Sequence, residues 1–428
     1  MSKPGTTREL SLQSSHDEDK KKRILISTIG SRGEVQPILG LALELQALGH
    51  RAVLCVPPNF QGWVESYGIE CVPIGPDVQK LSVPRGDIKR RKPSWSTMRQ
   101  LVRASVIEQF RVMGNAADGC DLIVVAGDLL HAGRSLAESR KLPYIHAIYC
   151  PATLKSHKHP PPTLGSVNRS QTLPSLVNRL LWKASEWHWN ALYRAVLNEQ
   201  REALGLAPVK DAPSHIATEQ PWLAVDPVLG RVPPTKSMRA IQTGAWFLAD
   251  KRPLPDPLEQ FLLEGKPPIY FGFGSMRART HTGRTMIEAA RALGRRAIVS
   301  HGWAGLDVTD TGTDCIAIGD VSHEKLFPRV AVIVHHGGAG TTTAAARSGK
   351  PQVVVPHIYD QYFWAHRVQQ LGIGVSAGRA AQLTVEKLVR ALRRCLEPDI
   401  AACAQVLASR IDLHGTRVAA ERLVKEFK

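Results

Sequence analysis

Two doubly wound, Rossmann-like α/β halves are the fold class this chain predicts, on three observations. Short β-branched runs alternate with helix-period runs through most of the sequence, which is the rhythm of βαβ units and not of hairpins. The 428 residues exceed one ordinary core and suit two units of roughly 200 residues each. Finally, one glycine-containing turn follows the first strand, at Gly30–Gly33, and another stands late between strand and helix, at Gly337–Gly340, so the two halves read as two versions of the same α/β plan.

Residues 1–22 are polar, charged and aperiodic, and are expected to form a disordered leader. Ile24–Ser27 is the first buried strand. Ile38, Leu41, Ala42, Leu45 and Leu48 then mark one face of a helix closed by Gly49, and Ala52–Val56 is the next strand. Further strands are predicted at Leu122–Val125 and Tyr144–Ile148, so an N-terminal unit spans 23–248. The basic stretch around 80–98 and the Pro/His-rich stretch 155–162 are loop-like by composition. Asn178–Tyr193 is helical in pattern and rich in aromatic residues. A linker is expected at 249–258, where Pro253, Pro255 and Pro257 disfavour regular structure. The second unit, 259–428, opens with a strand at Ile269–Phe273 and continues through Ala297–Ser300. It then offers a strand at 329–334, a helix from Thr342 to Gly349, a strand at 351–356 and a helical tail after Leu383.

Composition narrows the function. Seven cysteines, without a Cys-x-x-Cys pair, supply neither a metal site nor a disulfide framework, which fits a reducing, cytoplasmic setting. No run of about 18 uninterrupted apolar residues occurs, so no spanning helix is expected. The net charge of +17 suits nucleic acid, anionic lipid or an anionic small substrate. No nucleic-acid-binding module accompanies the basic cluster at 80–103, so no specific nucleic-acid partner is expected.

The chemistry concentrates in the two turns. His335-His336-Gly337-Gly338-Ala339-Gly340-Thr341 lies between strand and helix, where missing side chains let backbone N–H groups approach an anion and the helix N-terminus adds partial positive charge. The next strand leads into Asp360-Gln361. The early turn, Gly30-Ser31-Arg32-Gly33-Glu34, is Gly-x-x-Gly and lacks the Gly-x-Gly-x-x-Gly spacing of a dinucleotide oxidoreductase. Together with Val321–Phe327, these blocks resemble, in order and spacing, the inverting GT-B glycosyltransferases, especially the bacterial antibiotic and the sterol glycosyltransferases.

That resemblance implies a GT-B fold with a central cleft, the donor on the C-terminal half, the acceptor on the N-terminal half and a terminal helix crossing back. The activity implied is transfer of a sugar from a UDP- or dTDP-sugar co-substrate to a hydroxyl of a lipophilic acceptor, without metal. His336 would contact the diphosphate beside Gly338, Gly340, Thr341 and Ser275; Trp303 and Val321 would lie near the base; Asp360 and Gln361 would meet sugar hydroxyls. Glu34 stands where the related motif has aspartate and is the candidate general base, with Asp128, and behind it His131, as a weaker rival or assistant. Each has a plain structural alternative: His336 as a packed strand-end residue, Ser275, Asp360 and Gln361 as helix caps, Trp303 as core, and Glu34 as a first-turn glutamate favoured by the helix dipole or paired with Arg32. Two other functional readings stand beside enzyme action on a soluble acceptor: a lipid-directed transferase resting on an anionic membrane through the aromatic helix at 178–193, peripheral to its inner face, and a catalytically silent GT-B partner protein.

Overall fold

The computed structural model describes residues 21–82, 93–162, 173–233, 235, 238–276, 281–303, 306 and 312–427. Residues 1–20 of the expected leader (1–22) and residues 83–92 of the basic stretch lie outside the described residues. Two all-parallel sheets organise the chain. The first has the order β3-β2-β1-β4-β5-β6-β7, with β1 Arg23–Ser27, β2 Arg51–Val56, β3 Glu70–Pro73, β4 Leu122–Ala126, β5 Tyr144–Ile148, β6 Trp222–Leu223 and β7 Ile241–Gln242. The second has the order β10-β9-β8-β11-β12-β13, with β8 Ile269–Gly272, β9 Ala297–Ser300, β10 Cys315–Ile318, β11 Val332–His335, β12 Gln352–Val354 and β13 Gly374–Ser376.

The central strands read as continuous apolar runs because both faces are covered. Ile24 and Ile26 point into one cluster with Ile38, Leu41 and Leu45 of the Arg32–Ala47 helix. Leu25 points into the opposite cluster with Phe110 and Met113 of the Trp95–Ala116 helix and Leu192 and Val196 of the Ser175–Ala203 helix. This two-sided burial is the ordinary state of parallel strands. The terminal helix Gly415–Glu426 buries Ala419, Ala420 and Leu423 in the first of these clusters. Thr416 fastens its start, accepting from the Phe247 amide at 2.6 Å.

Several boundaries differ from expectation for local reasons. Pro328 sits in a 3₁₀ turn at Phe327–Arg329, so the strand starts at Val332 and ends on His335. The following helix begins at Ala339 with Gly338 as N-cap, three residues earlier than the Thr342 start predicted from the alanine run, so Gly340 is inside its first turn. Within the expected linker a helix already begins at Asp256; Pro257 lies in its first turn, where an absent N–H costs nothing. The aromatic helix is longer than its pattern suggested, running from Ser175 to Ala203, and the Pro/His stretch is tied to it by the Trp182 indole N–H donating to the His159 carbonyl at 2.8 Å.

Strand order locates the ligand cleft. In the first sheet the chain reverses direction of winding between β1 and β4, and in the second between β8 and β11. Crevices outside the carboxyl ends of strands at such switch points are where open α/β sheets bind ligands.

Candidate active site

The two switch points face one cleft of about 1470 Å³. From the first sheet come the turn after β1 with Glu34 and the turn after β4 with Asp128; from the second come Ser275 after β8, His336 after β11 and Asp360 after β12. Residues distant in sequence therefore meet because strand ends at the centre of each sheet are adjacent.

Glu34 is in the first turn of the Arg32–Ala47 helix, and its carboxylate closes a capping box by accepting from the Ser31 amide at 3.1 Å. Gly30 is what makes room for it: a Cβ at position 30 would lie 1.3 Å from Glu34 Oε2. Burial above all, then the neighbouring charge of Asp128, raises its pKa to about 8, against the opposing hydrogen bond from Ser31. Arg32 does not pair with it. Its guanidinium crosses to the other half, 2.5 Å from Asp320, and lies over the Trp63 ring at 4.8 Å. Thus the cap and the cleft-facing carboxyl are one side chain, and the Arg32 pairing of the plain structural alternative is not formed.

Asp128 is exposed at the cleft and accepts a hydrogen bond from the Tyr359 hydroxyl, which belongs to the opposite half. His131 does not join it. Its ring packs on Tyr193 at 4.3 Å and is buried, with burial lowering its pKa to about 4. His146 is also buried, with Nε2 2.9 Å from the Gly127 carbonyl.

The two adjacent histidines divide their labour. His335 is buried, accepts from the Gly337 amide at Nδ1 and therefore donates from Nε2 to Gln352 Oε1 at 2.9 Å. It braces the turn. Gly337 there has φ +90°, and a Cβ would lie 2.7 Å from Val354 Cγ1, so only glycine fits. His336 turns into the cleft, and burial, with His335, His357 and His323 adding, lowers its pKa to about 3. It is a neutral imidazole at physiological pH, so any help it gives an anion is that of an N–H donor and not of a cation. Beside it the first intrahelical bond is Thr342 N–H to the Gly338 carbonyl, which leaves the amides of Ala339, Gly340 and Thr341 at the open helix end. Thr342 and Thr343 spend their hydroxyls on the carbonyls four residues back, whereas Thr341 lines the cleft.

Ser275 lines the cleft too, and it does not cap the following helix, which starts at Thr282 after His281. Trp303 is half-buried; its amide donates to the Gly274 carbonyl at 3.0 Å, and its ring meets Phe60 of the first half at 5.6 Å. Val321, half-buried, lines the cleft next to Ser322, the cap of the His323–Leu326 helix. Asp360 holds one bond, from the Trp364 indole at 3.2 Å; burial raises its pKa to about 7, the Trp364 bond opposes and Asp128 adds to the rise. Gln361 differs from Asp360 in what it has free. Its carbonyl oxygen already accepts from the His357 and Ile358 amides at 2.8 and 3.1 Å, so only its NH₂, 3.2 Å from Met276 Sδ, can turn towards a ligand.

On the side of the N-terminal half the cleft is walled by Leu154, Pro161, Trp182, Trp189 and Tyr193, an apolar and aromatic surface. The Ser175–Ala203 helix carries Trp182, Trp189 and Tyr193 on that side and leaves Leu176, Leu180 and Trp187 exposed on another. Among the described residues no helix is long and apolar enough to cross a membrane.

Comparison with known proteins fits this geometry. Residues 24–157 match the glycosyltransferase family 28 N-terminal domain, and residues 313–412 match the erythromycin biosynthesis protein CIII-like, C-terminal domain. The chain is 40% identical over 405 residues to the vancomycin aglycone glucosyltransferase of Amycolatopsis orientalis, covering 94% of this chain and 97% of that one. It is 30% identical to a sterol 3-beta-glucosyltransferase of Arabidopsis thaliana, covering 94% of this chain and 67% of the relative. Among solved structures, the glycosyltransferase of kitacinnamycin superposes with a TM-score of 0.70 at 20% identity, over 94% of this chain and 98% of that one. Glycosyltransferase VinC in complex with dTDP superposes with a TM-score of 0.64 at 20% identity, over 94% and 100%. With two parallel sheets facing one cleft and near full-length identity of 40%, the chain belongs to the antibiotic-type glycosyltransferases of the GT-B fold.

Proposed function

We propose that this glycosyltransferase moves a sugar from a dTDP- or UDP-sugar to a hydroxyl of a lipophilic natural-product acceptor, with inversion, and that Glu34 is its general base. The observation that carries the reading is the opposition across one cleft of a half-buried carboxyl, Glu34, and an anion cradle built from His336 and the open helix end at Ala339–Thr341. In a single displacement the acceptor oxygen bonds to the anomeric carbon while the bond from that carbon to the diphosphate oxygen breaks. The leaving oxygen keeps the electron pair, and the acceptor proton passes to Glu34. Attack from the face opposite the diphosphate inverts the anomeric centre.

Each role follows from what the group has free. The three amides and the neutral His336 donate to charge that grows as the diphosphate departs, which is where preorganised donors lower a barrier. Ser275 and Thr341 add hydroxyl donors to the same phosphates. Asp360 accepts from sugar hydroxyls, with the Gln361 NH₂ donating beside it. Trp303 and Val321 offer a flat apolar wall and a backbone for the base. The aromatic wall of Trp182, Trp189 and Tyr193 supports a lipophilic acceptor. That VinC was solved with dTDP, and that near full-length relatives are named for vancomycin-type acceptors and a plant relative for sterols, favours this donor and acceptor class.

Calorimetric titration with UDP, dTDP and their glucose conjugates, with Asp360→Ala as control, tests the donor half. Binding of one nucleotide family with sugar recognition lost in the control supports it; no binding of any would favour a silent partner protein. Turnover persisting after EDTA treatment tests metal independence. A second reading, weak contact with anionic lipid, is favoured by Leu176, Leu180 and Trp187 standing exposed beside the exposed Arg179 and Lys183. Co-sedimentation with anionic but not neutral vesicles, lost in Trp187→Ala, is its test.

A further inference from the structure

Where the two switch points meet, the cleft is lined by the carboxyl groups of Glu34, Asp128 and Asp360 and by the phenol of Tyr359. Glu34 and Asp128 come from the first half and Asp360 from the second; the charge of Asp128 is felt by both of the others. Tyr359, immediately before Asp360, reaches across the cleft and donates its hydroxyl to Asp128 Oδ2. Its backbone is unusual: φ is +52°, and apart from Lys141 and Thr218 no other described residue except glycine has positive φ. A bulky side chain in the left-handed region costs about 1 kcal/mol or more and persists where the surroundings fix it. Here the fixing contact is with Asp128, whose neighbour Gly127 approaches the candidate base: a Cβ at position 127 would lie 3.0 Å from Glu34 Oε1.

We propose that Tyr359 is a positioning residue for glycosyl transfer: by hydrogen-bonding Asp128 across the cleft it holds that carboxylate as a fixed negative charge facing Glu34. Four like-acting groups share the pocket and must be reckoned with. Tyr149 donates to the Glu34 carbonyl at 3.4 Å and, with Cys150, follows β5; Tyr193 projects from the Ser175–Ala203 helix; Asp360 starts the Gln361–Gln370 helix. All four are neutral or acidic. Arg32, at the start of the Glu34 helix, is engaged with Asp320, so it does not offset the cluster. In this setting the hydrogen bond fixes where the Asp128 carboxylate lies, and a like charge beside Glu34 disfavours the ionised form of Glu34, which makes that side chain a proton acceptor of high basicity. The same bond ties the donor-sugar turn to the acceptor half, so the charge is in place when the two halves are closed.

Removing the hydroxyl frees Asp128 to swing into solvent, which relieves the repulsion on Glu34. The inference rests on Glu34 as base only in its kinetic consequence, so the experiment reads Glu34 directly. The Glu34 side chain, labelled with ¹³C at Cδ and assigned by Glu34→Gln, is titrated by NMR in the wild type and in Tyr359→Phe, with the acid limb of kcat/KM measured in parallel. The expected result is a Glu34 midpoint lowered by about 0.5 pH or more, a kinetic limb moved by the same amount, and a UDP or dTDP affinity within about twofold of wild type, since the cradle is untouched. Tyr359→Gly, whose backbone suits φ +52°, should fold and give the same displacement even if Tyr359→Phe is unstable. Adding Tyr359→Phe to Asp128→Asn should move the midpoint no further. An unmoved midpoint in both Tyr359 variants, or additivity with Asp128→Asn, overturns the proposal. A moved midpoint with an unmoved kinetic limb would leave Tyr359 positioning Asp128 and would remove Glu34 from the base role.

Discussion

Replacing Glu34 by glutamine is the perturbation with the most consequences, because one side chain is both helix cap and cleft-facing acid. With a pKa raised from 4.5 to about 8, Glu34 is about one-tenth ionised at pH 7 and about one-hundredth at pH 6. If it is the base, log kcat/KM of the wild type climbs with unit slope from pH 6 and levels above 8. Glu34→Gln should lower turnover by about 10²- to 10⁴-fold and abolish that climb, while nucleotide-sugar affinity stays near normal. Stability moves independently. A carboxyl whose folded pKa lies above its unfolded value binds more protons in the native state; its contribution is full below 4.5 and is lost as pH rises to 8, at up to about 1.4 kcal/mol per pH unit. The variant lacks that loss, so its melting temperature should gain on the wild type steadily between pH 5 and 8 and run parallel above. Stopped assays of product anomer together with calorimetric melting at matched pH provide both readouts. A flat wild-type profile from pH 6 to 9, or a variant that keeps the climb, would refute the assignment; parallel melting curves would refute the buried, raised carboxyl itself.

Two further perturbations address the neighbours. Gly30→Ala places a methyl 1.3 Å from Glu34 Oε2 at a position without positive φ, so its effect is steric: the carboxyl is displaced, the cap weakens by about 1 kcal/mol, and turnover falls towards that of Glu34→Gln, as kinetics and melting on one preparation will show; near-normal turnover would mean the carboxyl works elsewhere. His336→Ala should weaken nucleotide-sugar binding and rate together, and because His336 is neutral from its pKa of about 3 upward, the affinity lost should be the same at pH 5.5 and pH 8; a loss confined to acid pH would restore a cationic role.

The fold was legible where strands are central and buried. β1, β2, β4 and β5 declare themselves as β-branched runs because both faces are covered, whereas β3, β6, β7, β10 and β13, of two to four residues towards sheet edges, carry too little apolar pattern to stand out. Glycine and proline misled at the boundaries: Gly340 reads as turn but is helical, and Pro257 reads as linker but opens a helix. The site was legible as motifs, not as states. His335-His336 reads as a pair, yet only the Gly337 amide and Gln352 decide that the first is a brace. Tyr359 had no sequence signal, since its partner lies 231 residues away and becomes a neighbour only when two sheets face each other.

That facing arrangement has a consequence for the order of ionisations. The acid limb of kcat/KM reports the free enzyme, whereas the limb of kcat reports the complex with substrates. On the proposed function, bound donor would bring a diphosphate into the cleft that already holds Asp128 and Asp360, and a lipophilic acceptor against Trp182, Trp189 and Tyr193 would exclude water. Added negative charge and added desolvation both favour the protonated carboxyl. Unless the cradle neutralises the diphosphate fully, Glu34 must lose its proton against a larger penalty in the complex, and the kcat limb should lie above the kcat/KM limb. The amides at Ala339–Thr341 and the neutral His336 supply partial charges only, so full neutralisation is not available from them. Steady-state profiles at saturating and limiting substrate from pH 6 to 10 decide the matter. A kcat limb below that of kcat/KM would mean that a cation of the cleft lining, such as Arg32 released from Asp320, swings in when the donor binds.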